Sequence, residues 1–278
     1  MTDPRATAIY VVYRTARLDL SWIPEFERVV VVHNDRLLDP ATCEHGNVQH
    51  VFSSDNIGFG AGVNAALPLV ETARVVLVNP DTVLAASHWD ALAAPPPDDV
   101  VTVPLVDSDG TPTAVVSRYP TPASLALTAW RAGRLVPRGT ATRNTLSRAL
   151  GSWGRTHVEL TRATGCWPLR DHWVSGAVLS VATERITAIG GFDETFFLYL
   201  EDADLCRRLS ASFEDMRACI ADVAPAVHGV GGSGDTGRSR EVDRHYARSC
   251  RIWASREHGT RWRVSAAGVA LRERSLAR

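Results

Sequence analysis

The 278-residue chain contains no lysine; all thirty of its basic residues are arginine. That absence removes whole classes of chemistry. A Walker-type phosphate loop needs its Lys, and pyridoxal and aldolase-type Schiff bases need a lysine amine. A nucleotide-using site here has to manage phosphate with metal, backbone N–H groups or arginine. Long apolar runs are missing too, and nothing approaches the roughly 20 uninterrupted apolar residues of a membrane span. The opening stretch MTDPRATAIYVVYR lacks the charged-then-apolar layout of a secretion signal, so a cytoplasmic protein is expected. Cysteine is scarce. Cys43, Cys166, Cys206, Cys219 and Cys250 are odd in number, scattered and without a CxxC pair, which predicts free, mostly packed thiols rather than a disulfide framework or a zinc site.

What is present has the balance of one ordinary globular domain with a small appendage: 45% hydrophobic and 22% charged residues, enough for a full core. Net charge is −1 but uneven, because from Arg238 onward eleven Arg face only Glu241, Asp243, Glu257 and Glu273. We therefore divide the chain into a main body at 1–235 and a basic helical tail at 236–278, and expect no nucleic-acid partner. Val242, Tyr246, Cys250 and Trp253 recur in the tail at helical spacing, an apolar stripe suited to docking on the body.

TAIYVVY (7–13) and RVVVVH (28–33) are short, β-branched, nearly continuous apolar runs, the pattern of parallel strands buried on both faces; NVQHVFSS (47–54) and RVVLVNPD (74–81) repeat it. A Gly-led helical segment lies between the last two, giving a strand–helix–strand unit and hence an α/β fold with a parallel sheet. VVTVPLV (100–106) adds a strand, and DSDG (107–110) a turn. Residues from about 120 to 170 read as a helical or loop insertion. HWVSGAVLSVA (172–182) restores order, followed by a short helix ending at Gly190 and Gly191, a helix from about Glu201 to Ser212, and a strand and loop over MRACIADVAPAVHG.

Parallel strands deliver residues to their carboxyl ends, where ligands bind. Tyr13, Asn34, the Asp55–Asn64 stretch and Asn79-Pro80-Asp81 all reach that edge. NIGFGAGVN places glycines at 58, 60 and 62 before a helix. They can bring backbone N–H groups to a diphosphate, or simply make a tight strand-to-helix turn. Val63 stands where a dinucleotide fingerprint needs its third glycine, which disfavours an NAD-dependent sugar-modifying enzyme. Asp81 behind Asn79-Pro80 is either a common turn or a carboxylate poised for a divalent cation. FFLYLEDADLCRRL (196–209) sets Glu201, Asp202 and Asp204 against Phe196, Phe197, Leu198 and Tyr199. Acids suit a helix start, but apolar surroundings would also make the carboxylate that faces a pocket a better base. Asp204 is expected in a surface pair with Arg207 or Arg208.

These segments, in order, resemble the family 2 glycosyltransferases, specifically the rhamnosyltransferase-like branch: NIGFGAGVN, VLVNPD, WVSGAVL, GGFDETFFLYLEDADLCRRL and VHGVGGSG, over about residues 7–235. The resemblance implies an α/β, GT-A-like nucleotide-diphospho-sugar transferase fold, a mainly parallel central sheet flanked by helices. It implies an inverting transfer with Asp202 as general base, and Asp81, joined by His228, holding Mg²⁺ or Mn²⁺. The donor would be a nucleotide-diphosphate sugar, dTDP-rhamnose foremost, held by Tyr13, Asn34, Asn56, Gly58, Gly60, Asn64, Asn79 and Asp81. Trp173, Ser175, Gly176 and Glu201 would line the sugar and acceptor side. The acceptor would be a hydroxyl-bearing saccharide, lipid-linked or small, and the Arg-rich tail allows peripheral contact with the inner face of a membrane. VHNDRLLDP carries His33 and Arg36 where the family pattern has an acid and a small residue, which leaves thymidine and uridine donors both open. An inactive, glycosyltransferase-like binding subunit is the non-enzymatic alternative.

Overall fold

The computed structural model describes residues 4–43, 45–122, 124–125, 164–229 and 240–276. The β-branched runs become strands: β1 (Ala6–Val12), β2 (Arg28–His33), β3 (Val48–Phe52) and, after helix α1 (Phe59–Ala66), β4 (Arg74–Val78). Next come β5 (Thr82–Val83), α2 (Ala86–Ala93), β6 (Asp99–Thr102), β7 (Leu105–Val106), β8 (Pro112–Thr113) and β9 (Val116–Arg118). Beyond residue 163 lie β10 (Gly165–Pro168), β11 (His172–Val174), β12 (Val178–Ala182), α3 (Thr183–Ala188), α4 (Glu201–Ser212), β13 (Arg217–Ile220) and β14 (Ala226–His228). Two helices end the chain, α5 (Arg240–Arg256) and α6 (Thr260–Leu276). The insertion expected at about 120–170 lies mostly outside the described residues.

Eight strands form one sheet in the order β10-β13-β6-β12-β4-β1-β2-β3. β4, β1, β2 and β3 run parallel to one another, as do β6 and β13. β12 is antiparallel to both β4 and β6, with Val178 opposite Val78. This reversal positions the site: the amino end of β12, and with it Ser175-Gly176-Ala177, lies at the edge where β4 delivers Asn79 and Asp81. A second sheet, β5-β14-β7-β8, stands beside that edge and pairs His228 with Thr82.

Every residue of β1, β4 and β12 is buried, as their mainly apolar sequences require, and the polar exceptions are paired, Thr7 with Thr72 (2.8 Å) and Arg74 Nε with Ser180 Oγ (2.9 Å). β3 departs from the expectation of a strand buried on both faces. It is an edge strand with Gln49 and Phe52 exposed on opposite faces and no residue fully buried. α1 packs on β1 and β2, and α2 and α3 pack on β4 and β12. At the far end of the sheet the buried Glu27 carboxylate accepts hydrogen bonds from Arg5 N (2.7 Å), Ala6 N (3.0 Å) and Trp89 Nε1 (3.0 Å). A buried charge is tolerated there because its lone pairs are filled.

A second apolar cluster joins Leu125, Phe196, Leu200 and Ala203 to Ala247, Cys250, Trp253 and Ala254 of α5 and Val269 of α6. The tail thus docks on the body through the expected stripe; Cys250 and Trp253 are fully buried, Val242 and Tyr246 partly so. Among the described residues no helix is long and apolar enough to cross a membrane.

The cysteine expectation is corrected. Cys166 and Cys219 form a disulfide, while Cys43, Cys206 and Cys250 remain thiols. The two are direct partners on antiparallel β10 and β13, with Cα atoms 4.1 Å apart, although 53 residues separate them in sequence. Only strand pairing brings them together, so spacing rules could not find them. Thiol titration of the unfolded, unreduced protein should therefore give three reactive groups; five would contradict the bond. Cys166→Ser should lower stability by about 2–4 kcal/mol under non-reducing conditions.

Candidate active site

The segment before α4 makes an abrupt turn. Tyr199 and Leu200 both have left-handed backbone, at φ 70° and 65°, and neither is glycine. Such residues cost on the order of 1–3 kcal/mol each and persist only where surrounding structure over-determines them. The helix that follows has no side-chain cap. Its first residues, Glu201 and Asp202, consequently enter the carboxyl edge of the sheet instead of solvent.

Asp202 is the better placed of the two. Its Oδ2 accepts from Gly176 N at 2.9 Å and its Oδ1 from Ala203 N at 2.8 Å, and the residue keeps partial exposure. Burial pushes its pKa up to about 6, against the backbone hydrogen bonds from Gly176 and Ala203, which pull it down. Glu201 is only 6% exposed, and its Oε2 has no hydrogen-bond partner. Burial, and then the neighbouring Asp202 charge, hold it well above the ordinary carboxylate range. The pair therefore differs in access and in proton affinity: Asp202 is reachable, whereas Glu201 is enclosed and holds its proton more tightly than a free carboxyl. Asp204 is not the surface residue expected. It is 1% exposed and accepts from Arg208 Nε (2.7 Å) and Arg256 Nη1 (3.1 Å), with Arg207 Nη2 at 3.8 Å. It is a buried structural anion.

Asp81 and His228 also meet. Strand β14 lies against β5, and His228 Nε2 stands 3.3 Å from Asp81 Oδ1, both side chains being partly exposed. Gly229 N donates to Asp81 O at 2.9 Å, and Asn79 Nδ2 lies 3.3 Å from His228 Nε2. Asn79 N in turn donates to Ala177 O (2.8 Å), next to the Gly176 that holds Asp202. One run of hydrogen bonds and chain thus connects Asp202, Gly176, Ala177, Asn79, His228 and Asp81, residues spread over 150 positions of sequence.

The glycine loop serves packing first. At Gly58, φ is 88° and an added Cβ would sit 2.4 Å from Phe197 O; at Gly60 it would sit 2.9 Å from Phe192 Cβ, and at Gly62 2.7 Å from Val11 Cγ1. Gly58 makes the turn into α1, and Gly60 and Gly62, inside that helix, let it approach Phe192 and Val11 closely. Asn34 Nδ2 donates to Asn56 Oδ1 and Gly58 O, both at 3.1 Å, and Asn56 Oδ1 also accepts from Gly58 N, so this pair shapes the loop. Asn64 bonds Phe192 through both its amide atoms (2.8 and 2.9 Å) and Glu194 Oε1 (2.9 Å), fixing α1 to the GGFDE segment. Gly191, at φ 74°, is the residue whose missing Cβ makes room for that amide. Asn64 and Gly60 are thus occupied by protein contacts. Tyr13 is exposed at the end of β1, with the Arg14 guanidinium 5.1 Å from its ring centroid. Ser175 Oγ accepts from Ala177 N (3.3 Å), bracing the turn at Gly176. Trp173 is partly core, its Nε1 donating to Arg118 O at 3.1 Å.

Sequence reasoning missed the wall on the β2–β3 side. His33 is fully buried, stacked on Phe52 with centroids 4.6 Å apart, and its Nε2 is 2.9 Å from His50 Nδ1. Burial, with His50 adding to it, lowers the His33 pKa, which keeps the ring neutral. The alternation His50-Val51-Phe52 was the available signal, since it puts both rings on one face.

No family model matches the chain, and no curated protein matches it in sequence. Solved structures do. TarS 1–349 of S. aureus is similar at 14% identity over 97% of this chain and 72% of that one, with a TM-score of 0.51. The mannosyltransferase PcManGT from Pyrobaculum calidifontis, in complex with GDP-Man and Mn²⁺, gives 14%, 99%, 74% and 0.50 on the same measures. GalNAc-T7 with UDP, GalNAc and Mn²⁺ gives 12%, 90%, 49% and 0.52. At such identities the likeness is one of fold, and the fold is the GT-A-like, mixed α/β architecture expected from the sequence.

Glu201 supplies a test of the site's electrostatics. A carboxyl whose folded pKa is raised binds its proton more tightly in the folded state, so its contribution to stability is full below the unfolded value and falls as pH rises toward the folded one. Glu201→Gln removes that dependence. The melting temperature of Glu201→Gln relative to the parent protein should rise as pH increases above about 5; a constant difference would show that Glu201 titrates normally.

Proposed function

We propose that this protein is an inverting glycosyltransferase, which moves rhamnose or a related deoxyhexose from a nucleotide-diphosphate donor to an acceptor hydroxyl. The observation that carries the proposal is the partly exposed Asp202 carboxylate, raised to about 6 by burial and tied through Gly176 to the edge bearing Asp81 and His228. A base with that pKa is mostly ionised at neutral pH yet basic enough to take a proton in a transition state. Two of the solved structures of like fold hold Mn²⁺ with a nucleotide or nucleotide sugar. The rhamnose donor rests on the resemblance of the five segments to the rhamnosyltransferase-like branch, and so does the inverting course. An NAD-dependent reaction is disfavoured by the glycine loop, whose open faces are filled by Phe192, Phe197 and Val11.

Asp202 accepts the acceptor's hydroxyl proton as that oxygen bonds to the anomeric carbon; the bond from that carbon to the diphosphate breaks, and its electron pair leaves with the nucleoside diphosphate. Gly176 and Ala203 N–H groups hold the carboxylate in place before and after the proton moves. Glu201, enclosed and with its pKa raised, resists placing a second negative charge beside the base.

Asp81 and His228 fit a divalent cation. His228 Nε2 stands 3.3 Å from Asp81 Oδ1 and both side chains are partly exposed, so a neutral imidazole and a carboxylate would each offer a lone pair to one ion once Asn79 Nδ2 gives up its contact with that nitrogen. Bound there, Mg²⁺ or Mn²⁺ would neutralise charge on the departing diphosphate. With no lysine in the chain, arginine and backbone N–H groups are the remaining means of doing so. The acceptor we favour is a saccharide hydroxyl, lipid-linked or small. Arg261, Arg263 and Arg274, exposed on α6, suit peripheral contact with an anionic membrane surface.

The test combines binding and turnover. In a thermal-shift panel of dTDP-rhamnose, UDP-glucose, UDP-N-acetylglucosamine and GDP-mannose, a true donor raises the melting temperature by mass action. Asp202→Asn should keep that shift and lose transfer by about 100-fold or more. Asp81→Ala should lose the part of the shift that depends on Mg²⁺ or Mn²⁺. Near-normal transfer in the first variant would reject the base, and a shift indifferent to chelator and to the second variant would reject the metal.

A further inference from the structure

The turn that presents Asp202 is not held by its own sequence. Tyr199 and Leu200 are left-handed without being glycine, and α4 starts with no side-chain cap. The contacts that hold it come from α5, in the tail that composition sets apart. Arg256 reaches both ends of the segment. Its Nη2 bonds Asp193 Oδ2 (2.7 Å) and Thr195 Oγ1 (2.8 Å), ahead of the turn, and its Nη1 bonds Asp204 Oδ1 (3.1 Å), beyond it. The same guanidinium lies 4.8 Å from the centroid of the Phe196 ring. Between these anchors, Ser249 Oγ donates to Leu198 O at 2.8 Å, the His245 ring stacks on Phe197 at 4.3 Å, and Tyr246 meets Tyr199 edge-on at 5.3 Å. Leu200 itself is buried in the cluster formed with Ala247, Cys250 and Trp253. Arg207 adds a tie in the other direction, lying 4.2 Å over Trp253 and pairing with Glu257. From Phe196 to Leu200, four of five residues thus touch a named side chain of α5, and the fifth is buried against it.

We propose that α5 is an internal splint for the active site, and that Arg256 is a positioning residue: by joining Asp193 and Thr195 to Asp204 it locks the left-handed turn and so aims Asp202 at Gly176 and the sheet edge. The functional half of this statement rests on the reading of Asp202 as the base. The structural half does not. Only a planar, charged fork reaches three acceptors on two sides at once, and lysine, a point charge, reproduces this in part.

The experiment has two arms. In hydrogen exchange on the substrate-free protein, Arg256→Gln should speed exchange of peptides covering 196–205 by about tenfold or more, leaving β1 and β4 unchanged; protection equal to the parent protein's in 196–205 overturns the splint. In transfer assays with dTDP-rhamnose, UDP-glucose and GDP-mannose as donors, Arg256→Gln should lower kcat by about tenfold or more, shift donor KM by less than about threefold, and recover in part as Arg256→Lys. Arg5→Gln, which loses ion pairs at the opposite end of the sheet, controls for general destabilisation and should keep its kcat. Parental kcat in Arg256→Gln beside an inactive Asp202→Asn overturns the positioning role and leaves the base standing. Parental transfer in Asp202→Asn removes the base and the positioning role together.

Discussion

The hydrogen bond from Gly176 N to Asp202 Oδ2 joins the two parts of the fold on which any activity depends. On one side is the sheet edge, where β4 ends in Asn79 and Asp81 and antiparallel β12 begins. On the other is a helix whose first turn consists of acids. Without that bond the acids of α4 would cap their own helix; with it, one carboxylate belongs to the sheet's ligand-binding edge. The rest of the site can be read as the set of constraints that keep this contact in being.

Those constraints use burial against charge. Three carboxylates within four residues would repel if all were exposed and alike, and the structure makes them different. Asp204 is enclosed with arginines that pair with it. Glu201 is enclosed without one, and burial raises its pKa. Asp202 alone keeps both hydrogen-bond donors and access to solvent. Environment thus makes three chemically similar groups different, and the proposed mechanism uses only the accessible one.

Much of this was legible in the sequence, for identifiable reasons. β1, β2 and β4 announce themselves because strands buried on both faces need unbroken apolar runs, and their carboxyl ends locate Tyr13, Asn34 and Asp81. The strand carrying His228 and the SGA turn were recognised as segments, but their approach to Asp81 and Asp202 depends on pairings between distant strands. The same limit hid the Cys166–Cys219 bond and the hold of Arg256 on Asp204 and Thr195, 52 and 61 residues away. The glycines carried two readings. Their spacing suggests a phosphate cradle, but their missing Cβ atoms are filled by Phe197, Phe192 and Val11. Nor does sequence disclose a left-handed Tyr-Leu pair, because such backbone is imposed by packing against preferences that favour glycine.

The account stands or falls on the ionisation of one side chain. A carboxyl-carbon NMR titration of the protein, with the Asp202 signal identified by its loss in the Asn variant, measures it without a substrate. We predict that this carboxyl titrates near pH 6, well above the roughly 3.9 of an unperturbed aspartate. A midpoint in the ordinary aspartate range would contradict a buried base at the sheet edge.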